Sequence, residues 1–134
     1  MRLLLDTHMA IWAALDPDAL TRTEREEMAA ADAPLVLSAV VVWELRLKWH
    51  SLHISGEPKG GLDPTCIIAF AAAMGWELLP LTAGHAAAKL TQPLPHKDPF
   101  DELLLVQAQE EGMRMLTRDA KLVGHPLAFG CAEA

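Results

Sequence analysis

Short apolar runs alternate along the chain with longer segments whose apolar residues recur at helical spacing. The first run, Leu3 to Leu5, ends at Asp6 and precedes a predicted helix over residues 8–15. Further strands are predicted over residues 34–38, 76–81 and 113–117, and further helices over 39–49, 64–74, 82–90 and 98–111, with one helix opening after Thr21 and another at Asp119. This alternation predicts an α/β fold with a mostly parallel sheet of four to five strands, flanked by helices on both faces.

Residues with special backbone preferences mark the ends of several helices. Thr21, with a glutamate three positions later, is typical of a capping box, and Gly75 and Gly112 follow helices that they are expected to end. Residues 50–64 carry several Gly and Pro and predict a loop that is too short to separate two cores. We therefore expect a single domain over residues 1–134.

The composition narrows the class of protein. Of the 134 residues, 51% are hydrophobic and 22% are charged, which excludes a disordered chain, and no apolar run approaches the roughly 20 residues of a membrane-spanning helix. The two cysteines are too few and too distant for a zinc site, and the lack of a charged segment before the first apolar run predicts a cytoplasmic protein. The net charge of -7 opposes binding of nucleic acid through the overall field.

Acidic residues gather at the edge of the predicted sheet where ligands bind in open α/β folds. Asp6 ends the first strand, and Asp119 follows the last predicted strand. Asp98 and Asp101 open the helix before that strand, and Glu44 lies in the first two turns of another helix that follows a strand. These five acids supply most of the negative charge of the chain, and at one edge they would repel one another unless a cation joined them.

Magnesium or manganese suits such a set of oxygen ligands, because these ions are typically held by one or two carboxylates together with phosphate oxygens of a substrate. A site of this kind could activate water for phosphodiester hydrolysis. Each acid also has a simpler interpretation. Asp98 and Asp101 are typical of a helix start, Glu44 can pair with Lys48 four positions later, and Asp119 can cap a helix. Asp6 has no equally obvious capping partner.

The other residues of note carry less information. The six histidines are scattered, and only His50 and His53 share a helical spacing, which is insufficient for a metal site. The four tryptophans lie in apolar neighbourhoods and are interpreted as core or interface residues, with base stacking as the alternative.

Four blocks of the sequence match a known pattern in order and spacing. They are Leu4-Leu5-Asp6-Thr7-His8 with Trp12; Ser38-Ala39 with Trp43-Glu44 and Lys48; His96-Lys97-Asp98-Pro99-Phe100-Asp101 with Leu104 and Gln107-Ala108; and Leu116-Thr117-Arg118-Asp119. Over nearly the whole chain this arrangement resembles the PIN-domain ribonucleases, and among them the VapC-like toxins of bacterial toxin–antitoxin pairs.

The resemblance implies a PIN-like fold and an endoribonuclease that depends on Mg²⁺ or Mn²⁺ and hydrolyses RNA. It also implies a cognate VapB-like antitoxin as inhibitor and a homodimer as the usual state. The catalytic and metal-binding acids that it implies are Asp6, Glu44, Asp101 and Asp119. Asp98 is a fifth candidate metal ligand, ranked below Asp101.

Supporting residues lie beside these acids. The hydroxyls of Thr7 and Thr117 could orient waters or carboxylates, or could bond to the local backbone. Candidate contacts to RNA phosphates are the following basic residues, each of which is also typical of an ordinary protein surface: Arg118, Lys48, Arg46 and Lys97.

One position departs from the pattern and leaves alternatives open. Related sequences usually have Arg directly after the second aspartate of the third block, where this chain has Glu102. A first alternative is therefore a weakened or inactive module that binds antitoxin or RNA. A second is a phosphatase or receiver domain with Asp6 as nucleophile, although no second aspartate follows two positions later, as the phosphatase form requires.

Overall fold

A sheet of five parallel strands forms the centre of the molecule, and the computed structural model describes it with its helices over residues 2–50 and 62–130. The strands are β1 (Leu3–Leu5), β2 (Val36–Ser38), β3 (Glu77–Leu79), β4 (Arg114–Leu116) and β5 (Ala128–Phe129). The helices are α1 (Thr7–Leu15), α2 (Arg22–Ala30), α3 (Ala39–His50), α4 (Pro64–Met74), α5 (Ala83–Ala87), α6 (Pro99–Glu111) and α7 (Ala120–Val123). The predicted α/β class and parallel sheet are confirmed.

The strand order β3-β2-β1-β4-β5 places β1 in the middle of the sheet. Leu4 lies opposite Val36 of β2 on one side and opposite Met115 of β4 on the other. The chain leaves β1 toward one side of the sheet and leaves β4 toward the other. The carboxyl ends of β1 and β4 therefore flank the topological switch point, which is where open α/β sheets bind ligands.

The central strands β1 and β2 are buried throughout, which explains the uninterrupted apolar sequence of β1. Leu4, Leu5 and Leu116 are fully buried, and they pack in one cluster with helix residues such as Ile67 and Leu105. Burial of each such side chain contributes about 1.5–3 kcal/mol. This packing holds the strand ends in fixed positions at the edge of the sheet.

The helix ends follow the local signals in the sequence. Thr21 and Glu24 form the predicted capping box at the start of α2. Gly75 and Gly112 end α4 and α6 with φ angles of 72° and 67°, in the left-handed region that favours glycine. None of the helices in the described ranges is long and apolar enough to cross a membrane.

Three predictions about secondary structure differ from the structure or fall outside it. The helix predicted over residues 82–90 ends at Ala87, because Leu90 turns into the core and the side chain of Gln109 binds the backbone of Lys89 and Thr91. Strand β5 was not predicted, since two residues are too few to show a periodicity. Most of the loop predicted over residues 50–64 lies outside the described residues.

Candidate active site

Asp6 lies at the switch point and is hydrogen-bonded to the end of the neighbouring strand β4. Its backbone N–H donates to the carbonyl of Leu116 at 3.2 Å, and one carboxylate oxygen accepts from the hydroxyl of Thr117. The hydroxyl of Thr117 in turn accepts from the backbone N–H of Asp119 at 3.1 Å. Thr117 thus makes both kinds of contact that the sequence left open for it, one to a carboxylate and one to the local backbone.

The interpretation that Asp6 lacks an obvious capping partner is wrong. Its other carboxylate oxygen accepts from the backbone N–H of Met9 at 2.8 Å, so Asp6 is the N-cap of α1. The error arose because α1 begins one residue earlier than predicted, at Thr7. A cap on a helix start is compatible with ligand binding, because a carboxylate oxygen has more than one lone pair.

Asp101 occupies the first turn of α6, after Asp98 at the N-cap. Asp98 accepts from the backbone N–H of Phe100 at 2.9 Å and of Asp101 at 3.2 Å, as the simpler interpretation of this residue predicts. Oδ2 of Asp101 lies 3.3 Å from Nε2 of His96. Within the described residues, Nδ1 of His96 is buried and has no hydrogen-bond partner.

Glu44 is held at the same edge by a residue next to Asp6. The hydroxyl of Thr7 donates to Oε1 of Glu44 at 2.6 Å, and Lys48 Nζ lies 2.9 Å from Oε2. The pairing with Lys48 is the one expected from their spacing on a helix. Because Thr7 follows Asp6 directly, this hydrogen bond brings α3 close to the end of β1.

The electrostatics of the edge oppose ionisation of two acids. The pKa of Asp6 is raised mainly by burial, with a further contribution from the charge of Asp101, against the lowering effect of the Thr117 and Met9 hydrogen bonds. Burial also raises the pKa of Asp101, and the charges of Asp98 and Asp119 add to it, while His96 acts in the opposite direction. These effects match the repulsion that the sequence predicted.

Asp119 caps α7 through the backbone N–H of Lys121 at 2.9 Å, and it also faces a pocket shared with Asp6. The pocket has a volume of about 260 Å³ and is lined by Asp6, His8, Trp12, Arg118 and Asp119. The structure therefore brings Asp6, Asp101 and Asp119 to one edge, with Glu44 joined to it through Thr7.

Two of the four candidate RNA contacts are engaged within the protein. Arg118 binds the buried Glu24, with Nε 2.9 Å from Oε2, and its guanidinium lies 4.2 Å from the ring centroid of Trp12. Burial opposes the charge of Glu24, but the hydrogen bonds and charge of Arg118 together with the hydrogen bonds from Thr21 outweigh it and lower the pKa of Glu24. Lys48 pairs with Glu44, as described above.

The other two candidate RNA contacts lie on the surface, as does the glutamate that stands where related sequences usually have Arg. Lys97 and Glu102 are exposed near the start of α6. Arg46 is exposed beside an apolar groove of about 720 Å³ between α3, α4 and β3, which also includes Trp43, Ile68 and Leu78.

The donor chemistry of the edge fits a hard divalent cation. Among residues 2–50 and 62–130, no three His, Cys, Asp or Glu side chains form a group that could hold a metal ion by themselves. Magnesium does not require such a group, because it keeps several waters and commonly uses one or two protein carboxylates. Asp6 and Asp119, which face one pocket, and Asp101 beside them supply oxygen donors of this kind.

Sequence reasoning missed His96 as part of this edge. The residue lies within the third block of the resemblance, but it shares no helical spacing with another histidine. A signal was present, since His96 and Asp101 flank the short turn formed by Asp98 and Pro99 at the start of α6. The contact depends on how that turn folds back, which helical periodicity does not describe.

Comparison with known proteins identifies the family of the chain. The sequence profile of the PIN domain matches residues 3–124. The chain belongs to the PIN domain family. This confirms the resemblance drawn from the four sequence blocks, whereas a search of curated proteins by sequence finds no match.

Solved structures show the same fold in this PIN domain protein and in toxin–antitoxin assemblies. A chain from the structure of VapBC2 of Rickettsia felis bound to a promoter DNA fragment has a TM-score of 0.65 and 18% identity, with 98% of each chain covered. A chain from DNA-bound VapBC of Salmonella typhimurium gives 0.62 and 17%, covering 98% of this chain and 97% of that one. A domain of a functionally unknown protein from Methanocaldococcus jannaschii gives 0.57 and 18%, covering 99% and 92%.

Proposed function

We propose that this PIN domain protein is an endoribonuclease that depends on Mg²⁺ or Mn²⁺ and acts as the toxin of a toxin–antitoxin pair. The observation that carries the proposal is the meeting of Asp6, Asp101 and Asp119 at the switch point of the sheet, where two of the three have raised pKa values. Carboxylates kept together at such a cost are typical of functional sites.

Asp6, Asp101 and Asp119 would hold the cation, with Glu44 and Asp98 as further acids of the site. A bound divalent cation lowers the pKa of coordinated water and stabilises charge on the phosphate oxygens. Thr117 orients the Asp6 carboxylate by donating to one of its oxygens, and Thr7 does the same for Glu44. The substrate is single-stranded or loop RNA, whose unpaired nucleotides can enter a pocket at a sheet edge.

The proposed partner is a VapB-like antitoxin, and the proposed state is a cytoplasmic homodimer with one domain over residues 1–134. Support for the partner comes from the two VapBC complexes that contain chains of this fold. The acidic net charge of -7 supports a substrate that binds through metal and a few local cations, rather than through the overall field.

Cleavage of a labelled single-stranded RNA by the purified chain, with and without Mn²⁺, tests the proposal. We expect cleavage only with metal, and at least about 100-fold slower cleavage by Asp6→Asn and by Asp101→Asn. Asparagine can still cap a helix, so Asp6→Asn should fold, and Asp101→Asn keeps the shape of a side chain in the first turn of α6. Asp63→Asn is the matched control, because Asp63 caps α4 through Thr65 in the same way as Asp6 caps α1. Full activity of both Asp6→Asn and Asp101→Asn would refute the assignment.

A further inference from the structure

One wall of the pocket that contains Asp6 and Asp119 is aromatic. His8 and Trp12 lie four residues apart on α1, so that their side chains share one face of the helix. Their ring centroids are 5.5 Å apart with an interplanar angle of 37°. His8 is exposed and Trp12 is partly buried. The exposed ring thus stands two residues from a buried carboxylate of the candidate active site.

Trp12, the second ring of the wall, packs against Arg118, which is itself held by hydrogen bonds. Arg118 lies 4.2 Å from the centroid of Trp12, and it is fixed by the carboxylate of Glu24 and by the carbonyl of Ala19 at 2.8 Å. Glu24 is itself buried in the capping box of α2. Trp12 therefore contacts both a guanidinium that is fixed by hydrogen bonds and the ring of His8, so that His8 packs against a side chain that is itself held in place.

We propose that this wall is a nucleobase subsite in which a base of single-stranded RNA stacks on His8. The neighbouring phosphate would then lie at the cation that Asp6 and Asp119 hold. The inference rests on the proposed function and deepens it. Aromatic rings that stack bases beside a track for the backbone are the usual way to bind single strands, and each stacked base contributes about 1–3 kcal/mol.

The charges of the pocket favour a base over a phosphate on this wall. Asp6 and Asp119 repel a phosphate group in the absence of metal, and Arg118, which lines the pocket, is engaged with Glu24. A base brings an uncharged ring and amino groups that can donate to carboxylates. The same pocket can therefore receive the base on its aromatic side and the phosphate on its acidic side.

Abasic scanning of the RNA tests this subsite. Binding of labelled RNAs, each with one abasic nucleotide at a different position, is measured on the chain with all its site acids present. Ca²⁺, which also takes oxygen ligands, replaces Mg²⁺, and a gel checks that the RNAs stay uncleaved during the measurement. With His8 present, removal of the base at one position of the RNA should weaken binding by about 5- to 150-fold, as expected for the loss of one stacked base. In His8→Ala, intact RNA should bind that much more weakly, and the abasic penalty at this position should disappear.

His8→Phe separates stacking from charge, because phenylalanine keeps an aromatic face and has no proton to share. We expect this variant to retain both the affinity and the positional penalty, whereas His50→Ala, an exposed histidine at the end of α3, should change neither. An unchanged abasic penalty in His8→Ala would overturn the subsite while leaving the nuclease proposal intact. Failure of the His8-containing protein to bind any of the RNAs would refute both.

Discussion

Two polar networks of the molecule are built in opposite ways. The core network joins Ser38, Gln107, His85 and Glu111. The hydroxyl of Ser38 donates to Oε1 of Gln107, whose amide donates to the carbonyl of Pro80 and to Nδ1 of His85, each at 3.3 Å. Nδ1 also accepts from the backbone N–H of Thr82, so Nε2 of His85 carries the proton that is donated to Glu111 at 2.9 Å.

The acid rim, made of Asp6, Asp101 and Asp119 with Glu44, contains more acceptors than donors. Asp6 has two donors, Thr117 and Met9, yet burial and the charge of Asp101 still raise its pKa. In the core network each donor meets an acceptor, and the result stabilises one arrangement of the fold. The rim retains repulsion that a cation would relieve. The difference indicates that the first network serves the structure and the second serves a ligand.

The core network should dominate stability. Gln107 is fully buried and its amide has three partners. Gln107→Ala removes the acceptor of the Ser38 hydroxyl and one of the two donors to Nδ1 of His85, and we expect a loss of about 2–4 kcal/mol in the free energy of unfolding. Gln109→Ala, two residues along α6, removes hydrogen bonds to Lys89 and Thr91 at the surface and should cost less than about 1 kcal/mol. Urea denaturation measures both. Equal losses would contradict a dominant role of the core network in stability.

The position of the acid rim could be predicted from the sequence, because parallel strands end at one edge of a sheet whatever their order. The rule needed only the apolar runs before Asp6 and Asp119. The partners of these acids could not be predicted. Thr117 and Asp6 are 111 residues apart, Arg118 and Glu24 are 94 apart, and Ser38 and Gln107 are 69 apart. Such pairs depend on strand order and on the packing of α6, which no local periodicity contains.

Local signals succeeded where the physics is local and failed where tertiary contacts decide. The neighbouring residues correctly predict the capping box of Thr21 and the end of α4 at Gly75. Helix α5 ended early because Leu90 packs into the core, and Asp6 turned out to be a cap because α1 starts at Thr7. Both errors concern the boundary of an element, where one or two residues change the role of a side chain.

The contact between His96 and Asp101 offers a way to weaken the rim without removing an acid. His96 lies 3.3 Å from Oδ2 of Asp101, and hydrogen bonds of this type orient carboxylates that bind metal. We expect His96→Ala to lower the Mn²⁺ affinity of the RNA-free protein by about 10- to 100-fold by calorimetry. His96→Gln, which keeps a donor, should recover much of the affinity, and His50→Ala should bind Mn²⁺ normally. Unchanged affinity in His96→Ala would show that Asp101 needs no such support.

The repulsion within the rim should be visible as a small gain in stability when it is removed. Because the folded-state pKa of Asp101 is raised, its ionisation destabilises the fold once the pH rises through that pKa, and this cost is absent below the ordinary carboxyl range. We therefore expect metal-free Asp101→Asn to be more stable than the unaltered chain at pH 7, by an amount of the order of 1 kcal/mol. The difference should vanish in acid.

Two controls test whether the gain in stability of Asp101→Asn comes from the loss of repulsion within the rim. The pKa of Asp63 is lowered by hydrogen bonds from Thr65, so Asp63→Asn should be less stable at pH 7 and approach the unaltered chain in acid, the reverse of Asp101→Asn. Saturating Mn²⁺ should stabilise the unaltered chain, by about 2.7 kcal/mol at a concentration of 100 times Kd, and should leave Asp101→Asn nearly unchanged. Thermal unfolding over a range of pH measures all three proteins. A stability loss in metal-free Asp101→Asn at pH 7 would mean that the acid rim, like the core network, is built for structure.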